Sequence, residues 1–347
     1  MLLKALWITA IAIAAVAIAV MVLLVAIRGL SGLWTKRRGR QREALLATLL
    51  QWLEGGVDDT AMKAALTRNH ALATSLLIEI FELVRGEDQA RLARLTDETS
   101  LPQYLRETLE VGRRQARLAA AESLVWFPSP ETRAVLRFAL HDRDLSVGLA
   151  AAASLAALGD ELPIRQLLET RLGQEGETSR RLEAVLGAVA HRQAADLLDL
   201  ANDEAAPERL RAAAIDALAR TGSFGLLDPL ARLAPSPLME VRAAVARGLG
   251  LLGHPGAGDT ILQFLTDPAW VVRSEAAEAA GSIGLVEAAD LLCGLLHDPN
   301  WWVRFRAGAA LSELGEQGVA MLKELADSPG SGSGQMASLI LAERKIA

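Results

Sequence analysis

The feature that most constrains this chain is a 31-residue period in its second half. Arg180, Arg211, Arg242, Arg273 and Arg304 follow one another at this constant interval, each within a segment rich in Ala and Leu. The same residue at a fixed period indicates tandem copies of one structural unit. A unit this short cannot bury its own apolar face, so the copies are expected to stack on one another.

The period continues at both ends. Gly148 takes the Arg position in the copy before Arg180, after an interval that is one residue longer, and Arg117 lies one full period before Gly148. Gln335 lies one full period after Arg304 and opens a terminal half-repeat. Seven copies are therefore in register.

Each copy carries signals for two short helices. Asp267-Pro268 and Asp298-Pro299 predict an N-cap and a first-turn Pro for the helix that carries the Arg. A Gly at a fixed distance after the Arg predicts a left-handed C-cap. This Gly recurs at Gly159, Gly222, Gly253, Gly284 and Gly315. The sequence thus predicts an all-α, right-handed α-solenoid of about seven 31-residue helical hairpins.

The amino-terminal segment predicts a membrane anchor. Residues 5–27 contain no charged side chain, and a helix of this length spans about 34 Å, enough for a ~30 Å hydrocarbon core. The apolar run is too long for a signal peptide and continues into the basic residues of 28–42. Because positive flanks stay in the cytoplasm, we expect a single-pass plasma (inner) membrane protein with its N-terminus outside. The basic segment either contacts anionic lipids or acts only as a topology signal.

Charge and composition exclude other classes. The net charge is −6, and residues 1–42 carry seven basic and no acidic residues, which leaves −13 for residues 43–347. Such a body repels phosphate backbones, so we expect no nucleic-acid partner. One Cys excludes a disulfide scaffold and a multi-Cys metal site within the chain. Hydrophobic residues make up 51% and aromatic residues only 4%, which favours helices over strands. The abundance of Ala and Arg suggests a GC-rich bacterial genome.

These observations predict a domain order. It is an anchor (1–27), a basic juxtamembrane segment (28–42), degenerate or capping helices (43–112), repeats (113–327), a flexible linker (328–334) and a terminal half-repeat helix (335–347). Residues 43–112 are either part of the same solenoid or a small separate helical domain.

The segments DPAWVVRSEAAEAAGSIG from Asp267 and DPNWWVRFRAGAALSELG from Asp298 resemble short HEAT repeats of the phycobilisome-lyase-like type. The resemblance covers roughly residues 113–345 and is strongest over 236–326. It implies that Asp and Arg pair between neighbouring repeats, at Asp267, Arg273, Asp298 and Arg304. Ser236 and Ala205 replace the Asp that would precede Arg242 and Arg211, so we expect the ladder to be incomplete there. Anion binding is the alternative role of these arginines.

Aromatic residues provide the candidate partner site. Met239, Trp270 and Trp301 share one repeat position, where they either cover the seam between repeats, the reading we favour, or form a stripe for a partner. Trp302 and Phe305 share a helix face, with Arg306 nearby. They either belong to an interface or are buried under the terminal half-repeat.

No catalytic constellation stands out. The five His form no metal-binding spacing, and none is followed by Glu as in the paired His-Glu motifs of deoxyhypusine hydroxylase, another HEAT-type protein. We therefore expect no catalytic, cofactor-binding or metal-binding residues and no enzyme activity. Cys293 is expected to be a small buried residue. The leading prediction is a membrane-tethered scaffold for a membrane complex or a recruited cytoplasmic protein. The resemblance implies bilin-lyase-like activity as the alternative.

Overall fold

The computed structural model describes residues 39–165, 167, 180–327 and 332–345. These residues form helices and turns, and no strand occurs among them. The predicted anchor at 5–27 lies outside the described part of the chain, as does most of the basic segment. Within the described part, no helix combines the length and apolar character needed to cross a bilayer.

The chain divides into two compact units, Met1–Val135 and Leu136–Ala347. The repeat register predicts a division at 112/113, but the structural division falls at 135/136. The copy that contains Arg117 therefore lies in the first unit, with the helices of 43–112.

The first unit packs its helices around large apolar side chains. Trp52 and Phe81 are fully buried, and Phe81 stacks on Trp126 with ring centroids 4.7 Å apart. The Trp52 indole donates a hydrogen bond to Asp59 Oδ1 at 2.7 Å. The helices are α1 (39–53), α2 (Asp59–Thr67), α3 (His70–Leu83), α4 (Glu87–Asp97), α5 (Leu101–Val111), α6 (Arg114–Ser123) and α7 (Pro130–Ala139), which contains the division.

The second unit alternates longer helices with short ones. The short helices follow single 3-10 turns in three of the repeats. In chain order the helices are α8 (Leu145–Ala157), α9 (Arg180–Val189), α10 (Ala194–Asn202), α11 (Glu208–Ala219), α12 (Leu227–Ala231), α13 (Met239–Leu252), α14 (Gly258–Phe264), α15 (Trp270–Ile283), α16 (Ala289–Leu295), α17 (Trp301–Glu313), α18 (Glu316–Ala326) and α19 (Gly332–Glu343). This is the helical repeat stack that the period predicts.

The helices that carry the repeated Arg, α11, α13, α15 and α17, lie side by side and form the most extensive contacts of the unit. Small residues set their separation. A Cβ added at Gly250 of α13 would lie 2.7 Å from the Cβ of Ala279 on α15, and one at Gly281 would lie 2.8 Å from the Cα of Ala310 on α17. Ala and Gly therefore allow a core built with few aromatic residues.

The loops between the helices confirm one prediction and correct another. All five predicted glycines have positive φ, between 63° and 88°, and Gly253 and Gly284 are left-handed C-caps. Gly315, with a ψ of −151°, is instead the N-cap of α18. The Asp-Pro pairs, however, do not start their helices. Helix α15 begins at Trp270 and α17 at Trp301, because each Asp accepts a hydrogen bond from the backbone two residues on and so forms a turn first.

The last helix also begins earlier than predicted. Helix α19 starts at Gly332, so residues 332–334 are helical rather than part of a flexible linker. Ser333 and Gly334 are buried, and α19 packs on α17 and α18. Tertiary contact outweighs the low helix propensity of Gly and Ser here.

The close approach of α13 and α15 gives a stability prediction. Gly250→Ala adds a methyl group where the neighbouring helix leaves no room, and overpacking of this kind costs about 1–3 kcal/mol. That loss exceeds the gain of up to about 1 kcal/mol in helix propensity. We expect a lower melting temperature by circular dichroism.

Gly187→Ala is the matched control, because Gly187 is an exposed residue inside α9 with nothing within 4 Å of an added Cβ. It should raise the stability slightly. Equal melting temperatures for the two variants would show that small residues do not limit the spacing of these helices.

Candidate functional site

Neighbouring repeats are joined by arginine–aspartate pairs. Arg242 on α13 donates from Nε and Nη2 to the two carboxylate oxygens of Asp267, at 2.7 and 3.0 Å. Arg273 on α15 likewise holds Asp298, but its Nε and Nη2 both approach the same oxygen, Oδ2, at 2.8 and 2.7 Å. Each pair joins an Arg to the Asp that opens the following repeat. We call these two pairs the ladder.

Each ladder Arg also fastens the loop before its own helix. The Nη1 of Arg273 donates to the carbonyl oxygens of Asp267 and Pro268, at 2.7 and 3.0 Å. Asp267 Oδ1 in turn accepts from the backbone N–H of Ala269 at 2.8 Å. One ion pair thus fixes the conformation of two successive loops.

The direction of pairing corrects the expected position of the gaps. Arg242 is fully paired although Ser236 precedes it, because its carboxylate comes from the following repeat. The missing Asp at Ser236 instead affects Arg211, which is buried and donates from Nε to the carbonyl oxygen of Ala201 at 2.9 Å. Arg211 therefore does not belong to the ladder.

Arg304 is the last Arg in register. Its Nη1 donates to the carbonyl oxygens of Asp298 and Pro299, as in the other repeats. Its Nε is buried without a hydrogen-bond acceptor, the one such side-chain atom found among the described residues. The position where the period would place its Asp partner is occupied by Pro329.

The ladder shifts the titration of its members. Burial acts to raise the pKa of Asp267, but the hydrogen bonds from Arg242 and from the Ala269 backbone outweigh it, so this pKa is lowered. The hydrogen bond with Asp267 raises the pKa of Arg242 against the opposing effect of burial. Both partners therefore stay charged at neutral pH.

Four large apolar side chains at the starts of the Arg-bearing helices are exposed. Met239 on α13, Trp270 on α15, and Trp301 and Trp302 on α17 have relative exposures of 41%, 43%, 43% and 55%. We call these residues, together with the half-buried Phe305, the aromatic patch. The structure thus leaves much of Trp270 and Trp301 accessible, in the row that their shared repeat position predicts.

The aromatic rings of α17 organise one another. Trp301 stacks on Phe305 with centroids 5.1 Å apart, and Trp302 meets both rings nearly at right angles. The terminal half-repeat does not bury Trp302, because α19 packs on α17 elsewhere, where Ile340 lies beside Gly308. The cluster is preorganised and accessible.

An ion network crosses the same helices one turn further along. Arg306 on α17 pairs with Glu275 and Glu278 of α15, both at 2.9 Å. Arg247 on α13 lies 3.6 Å from Glu275 and binds both carboxylate oxygens of Asp216 on α11, at 2.9 and 2.8 Å. We call these five residues the inner ion network. Arg306, predicted to bind a partner directly, is thus committed within the chain.

The sequence contained a signal for this network. Asp216, Arg247 and Glu278 follow one another at the repeat period, and so do Glu275 and Arg306. Burial acts to lower the pKa of Arg247, but Asp216, Glu275 and Glu240 together raise it above its usual value. Residues of opposite charge that follow one another at the repeat period therefore indicate ion pairs between neighbouring repeats, such as Asp216 with Arg247 and Glu275 with Arg306.

The His and Cys side chains are the remaining candidates for a reactive site. No group of three or more His, Cys, Asp or Glu able to hold a metal occurs within the described ranges. His70 begins α3, stacks on Tyr104 and lies 2.9 Å from Ser100 Oγ. Cys293 is half-buried rather than buried, and desolvation, with Asp290 and Glu324, raises the pKa of its thiol.

The ladder gives a pH-dependent stability prediction. Asp267→Asn removes the charge-assisted hydrogen bonds to a largely buried Arg242, at a cost of about 2–3 kcal/mol. We expect the melting temperature at pH 7 to fall by about 5–10 °C. The pKa of Asp267 is lowered by folding, so its contribution is present above the ordinary pKa near 3.8 and is lost at lower pH.

The difference in melting temperature between wild type and Asp267→Asn should therefore be constant from pH 5 to 8 and shrink towards pH 3. Asp199→Asn, at an exposed position of α10, is the control and should change little at any pH. A difference that does not depend on pH would contradict the assignment to the charged pair.

Comparisons with known proteins support the repeat fold. A sequence model of a family described as HEAT repeats matches residues 194–281, 227–312 and 258–337. No curated protein matches the chain.

Similar solved structures share low identity with it. The complex of CpcE and CpcF of phycocyanin lyase from Nostoc sp. PCC7120 is 20% identical, covering 60% of this chain and 75% of that chain, with a TM-score of 0.35. Human deoxyhypusine hydroxylase in complex with glycerol is 21% identical. The match covers 79% of this chain and 96% of that chain, with a TM-score of 0.33. YibA from E. coli is 14% identical. The match covers 76% of this chain and 99% of that chain, with a TM-score of 0.44. The family match itself identifies HEAT repeats within residues 194–337 of this chain.

Proposed function

We propose that this chain is a non-catalytic scaffold that residues 5–27 tether to the cytoplasmic face of the plasma membrane. Its HEAT-repeat unit binds a protein partner through the aromatic patch. The partner is the cytoplasmic domain of a membrane complex or a cytoplasmic protein recruited to it. The observation that carries this proposal is the exposure of three Trp side chains on two neighbouring helices, α15 and α17.

An exposed Trp side chain leaves a large apolar area in contact with water, and a bound partner removes that unfavourable contact. A Trp side chain carries a large apolar area, and Trp is enriched among the residues that dominate protein interfaces. The stacked rings of Trp301 and Phe305 lose little conformational freedom on binding, because packing already fixes them. The patch therefore has the composition and the rigidity of an interface centre.

The tether supplies the second part of the proposal. The apolar segment 5–27, followed by a basic stretch, fits a cytoplasmic single-pass arrangement. Confining the repeats to the membrane surface raises their effective concentration towards other membrane proteins without adding any contact.

Reporter fusions test the tether. Green fluorescent protein fused to the C-terminus should fluoresce, because it folds in the cytoplasm. Alkaline phosphatase fused at the same place should be inactive, because it does not become active in the cytoplasm. Deleting residues 5–27 should move the protein from the membrane fraction to the supernatant. An active phosphatase fusion would contradict the proposed orientation.

Site-specific photo-crosslinking tests the patch. A photoreactive phenylalanine analogue in place of Trp302 should give a discrete protein adduct in intact cells. Adding Trp270→Ala and Trp301→Ala should reduce that adduct at least tenfold. The same analogue at Phe138, which is 77% exposed outside the patch, is the control. The same adducts from both positions would show that the patch is not a specific interface.

A further inference from the structure

Arg304 holds its own loop as the ladder arginines do, but it pairs with no carboxylate of the described residues. Arg242 and Arg273 each use Nη1 for the carbonyl oxygens of their own loop and direct Nε and Nη2 to the Asp of the following repeat. The Nη1 of Arg304 is 2.8 and 3.0 Å from the carbonyl oxygens of Asp298 and Pro299. The same attachment fixes the guanidinium group of Arg304 in the ladder orientation, with Nε and Nη2 presented to a following loop.

These two donors of Arg304 have no acceptor within the described part of the chain. Nε is buried, whereas Nη2 is not and stays accessible on the half-buried side chain. Asp327, the acidic residue closest in sequence to the position that the period assigns to an Asp, is exposed at the end of α18 and does not pair with Arg304. A buried donor of a charged group is costly to leave without an acceptor, and a carboxylate satisfies two parallel guanidinium donors at once.

The row of aromatic residues stops at the same end of the repeats. Trp270 and Trp301 each lie three residues after a ladder Asp, Asp267 and Asp298. The next residue at their repeat position is Gly332, the exposed first residue of α19, and a Cβ added there would meet nothing within 4 Å. The last repeat therefore presents an Arg without a carboxylate and a row position without a side chain. One loop with an Asp and an apolar residue three positions later fits both.

Net charge does not select the ligand here. The inner ion network carries −1, from three carboxylates and two guanidinium groups, and the charge of Arg304 cancels it. The network and Arg304 lie on different faces of α17, because Arg306 is two residues from Arg304 and thus about 200° around the helix. Arg306 pairs with α15, whereas Gly308, one turn after Arg304, lies against Ile340 of α19. The selection therefore depends on the two unpaired donors of Arg304.

We infer, on the basis of the proposed function, that the protein partner binds Arg304 through an Asp side chain, as Asp267 binds Arg242 within the chain. The carboxylate of this Asp accepts hydrogen bonds from Nε and Nη2. An apolar side chain three residues after it lies beside Trp301, at the open position of Gly332. The partner thus extends the repeat stack by one loop, and it covers Trp301 because it has the same spacing as the ladder loops.

Peptides that copy a ladder loop test this inference. The first probe is residues 265–271 of this chain, LTDPAWV, with a fluorescent label at its N-terminus and an amide at its C-terminus. Two matched peptides carry Asn in place of the Asp and Ala in place of the Trp. Fluorescence anisotropy measures their binding to the full-length chain in phosphatidylcholine nanodiscs, with empty nanodiscs as the blank. We expect the Asp peptide to bind about tenfold more tightly than the Asn peptide and about fivefold more tightly than the Ala peptide.

Variants of Arg304 locate the carboxylate. Arg304→Gln should bring the affinities of the Asp and Asn peptides within about twofold of each other, and Arg304→Lys should do nearly the same, because Lys has no planar pair of donors. Arg220→Gln is the matched control, since Arg220 is exposed at the end of α11 and the substitution removes the same charge. It should leave the preference for Asp unchanged. Because the Asp and Asn peptides are first compared on the wild-type chain, this test does not depend on how well a variant folds.

Filling the open row position tests the second contact. Gly332→Trp adds an indole at the row position after Trp301 and should weaken binding of the Asp peptide about fivefold. Gly294→Trp is the control, because Gly294 is an exposed residue of α16 with nothing within 4 Å of an added Cβ. It should leave the affinity unchanged. Equal weakening by the two variants would contradict a contact at Gly332.

The outcomes separate the inference from the proposed function. Equal binding of the Asp and Asn peptides, together with a Trp302 adduct that requires Trp270 and Trp301, would retain the interface and overturn the Asp contact. A preference for Asp that requires Arg304, without a specific Trp302 adduct, would overturn the proposed interface and retain Arg304 as a carboxylate site. Loss of Asp-peptide binding in glycerol phosphate, but not in acetate of the same ionic strength, would assign Arg304 to a phosphate ligand and overturn the inference.

Discussion

The second unit depends on contact between helices of successive repeats. A single short hairpin leaves one helical face uncovered, so each Arg-bearing helix requires the next one for its burial. Gly250 and Gly281 bring these helices so close that an added methyl group would overlap the neighbour. The spacing of the stack is therefore set by the smallest residues in it.

The ladder adds direction to this packing. Apolar contact between Ala-rich helices is not directional and tolerates sliding, whereas the bidentate pair of Arg242 and Asp267 permits one alignment. Because the same groups hold the loop carbonyls, the pair also fixes where α13 and α15 begin. The aromatic patch lies at these fixed helix starts, which explains its rigidity.

The same regularity brings the candidate site together. Met239, Trp270 and Trp301 would be unrelated residues in an irregular fold, but equal spacing on stacked helices aligns them. The inner ion network is built by the same geometry.

The sequence by itself determined the helical hairpins, their period and the glycines with positive φ between them, because these depend on local spacing and on backbone conformations that few residues adopt. The repeat position also predicted which aromatic residues form a row. Only the tertiary structure decided the partner of each Arg, because an Arg side chain reaches the following loop as easily as its own. It likewise decided that Trp302 is exposed, that Arg306 is paired and that residues 332–334 are helical. Burial and ion pairing at these positions depend on the neighbouring helix, which local sequence does not specify.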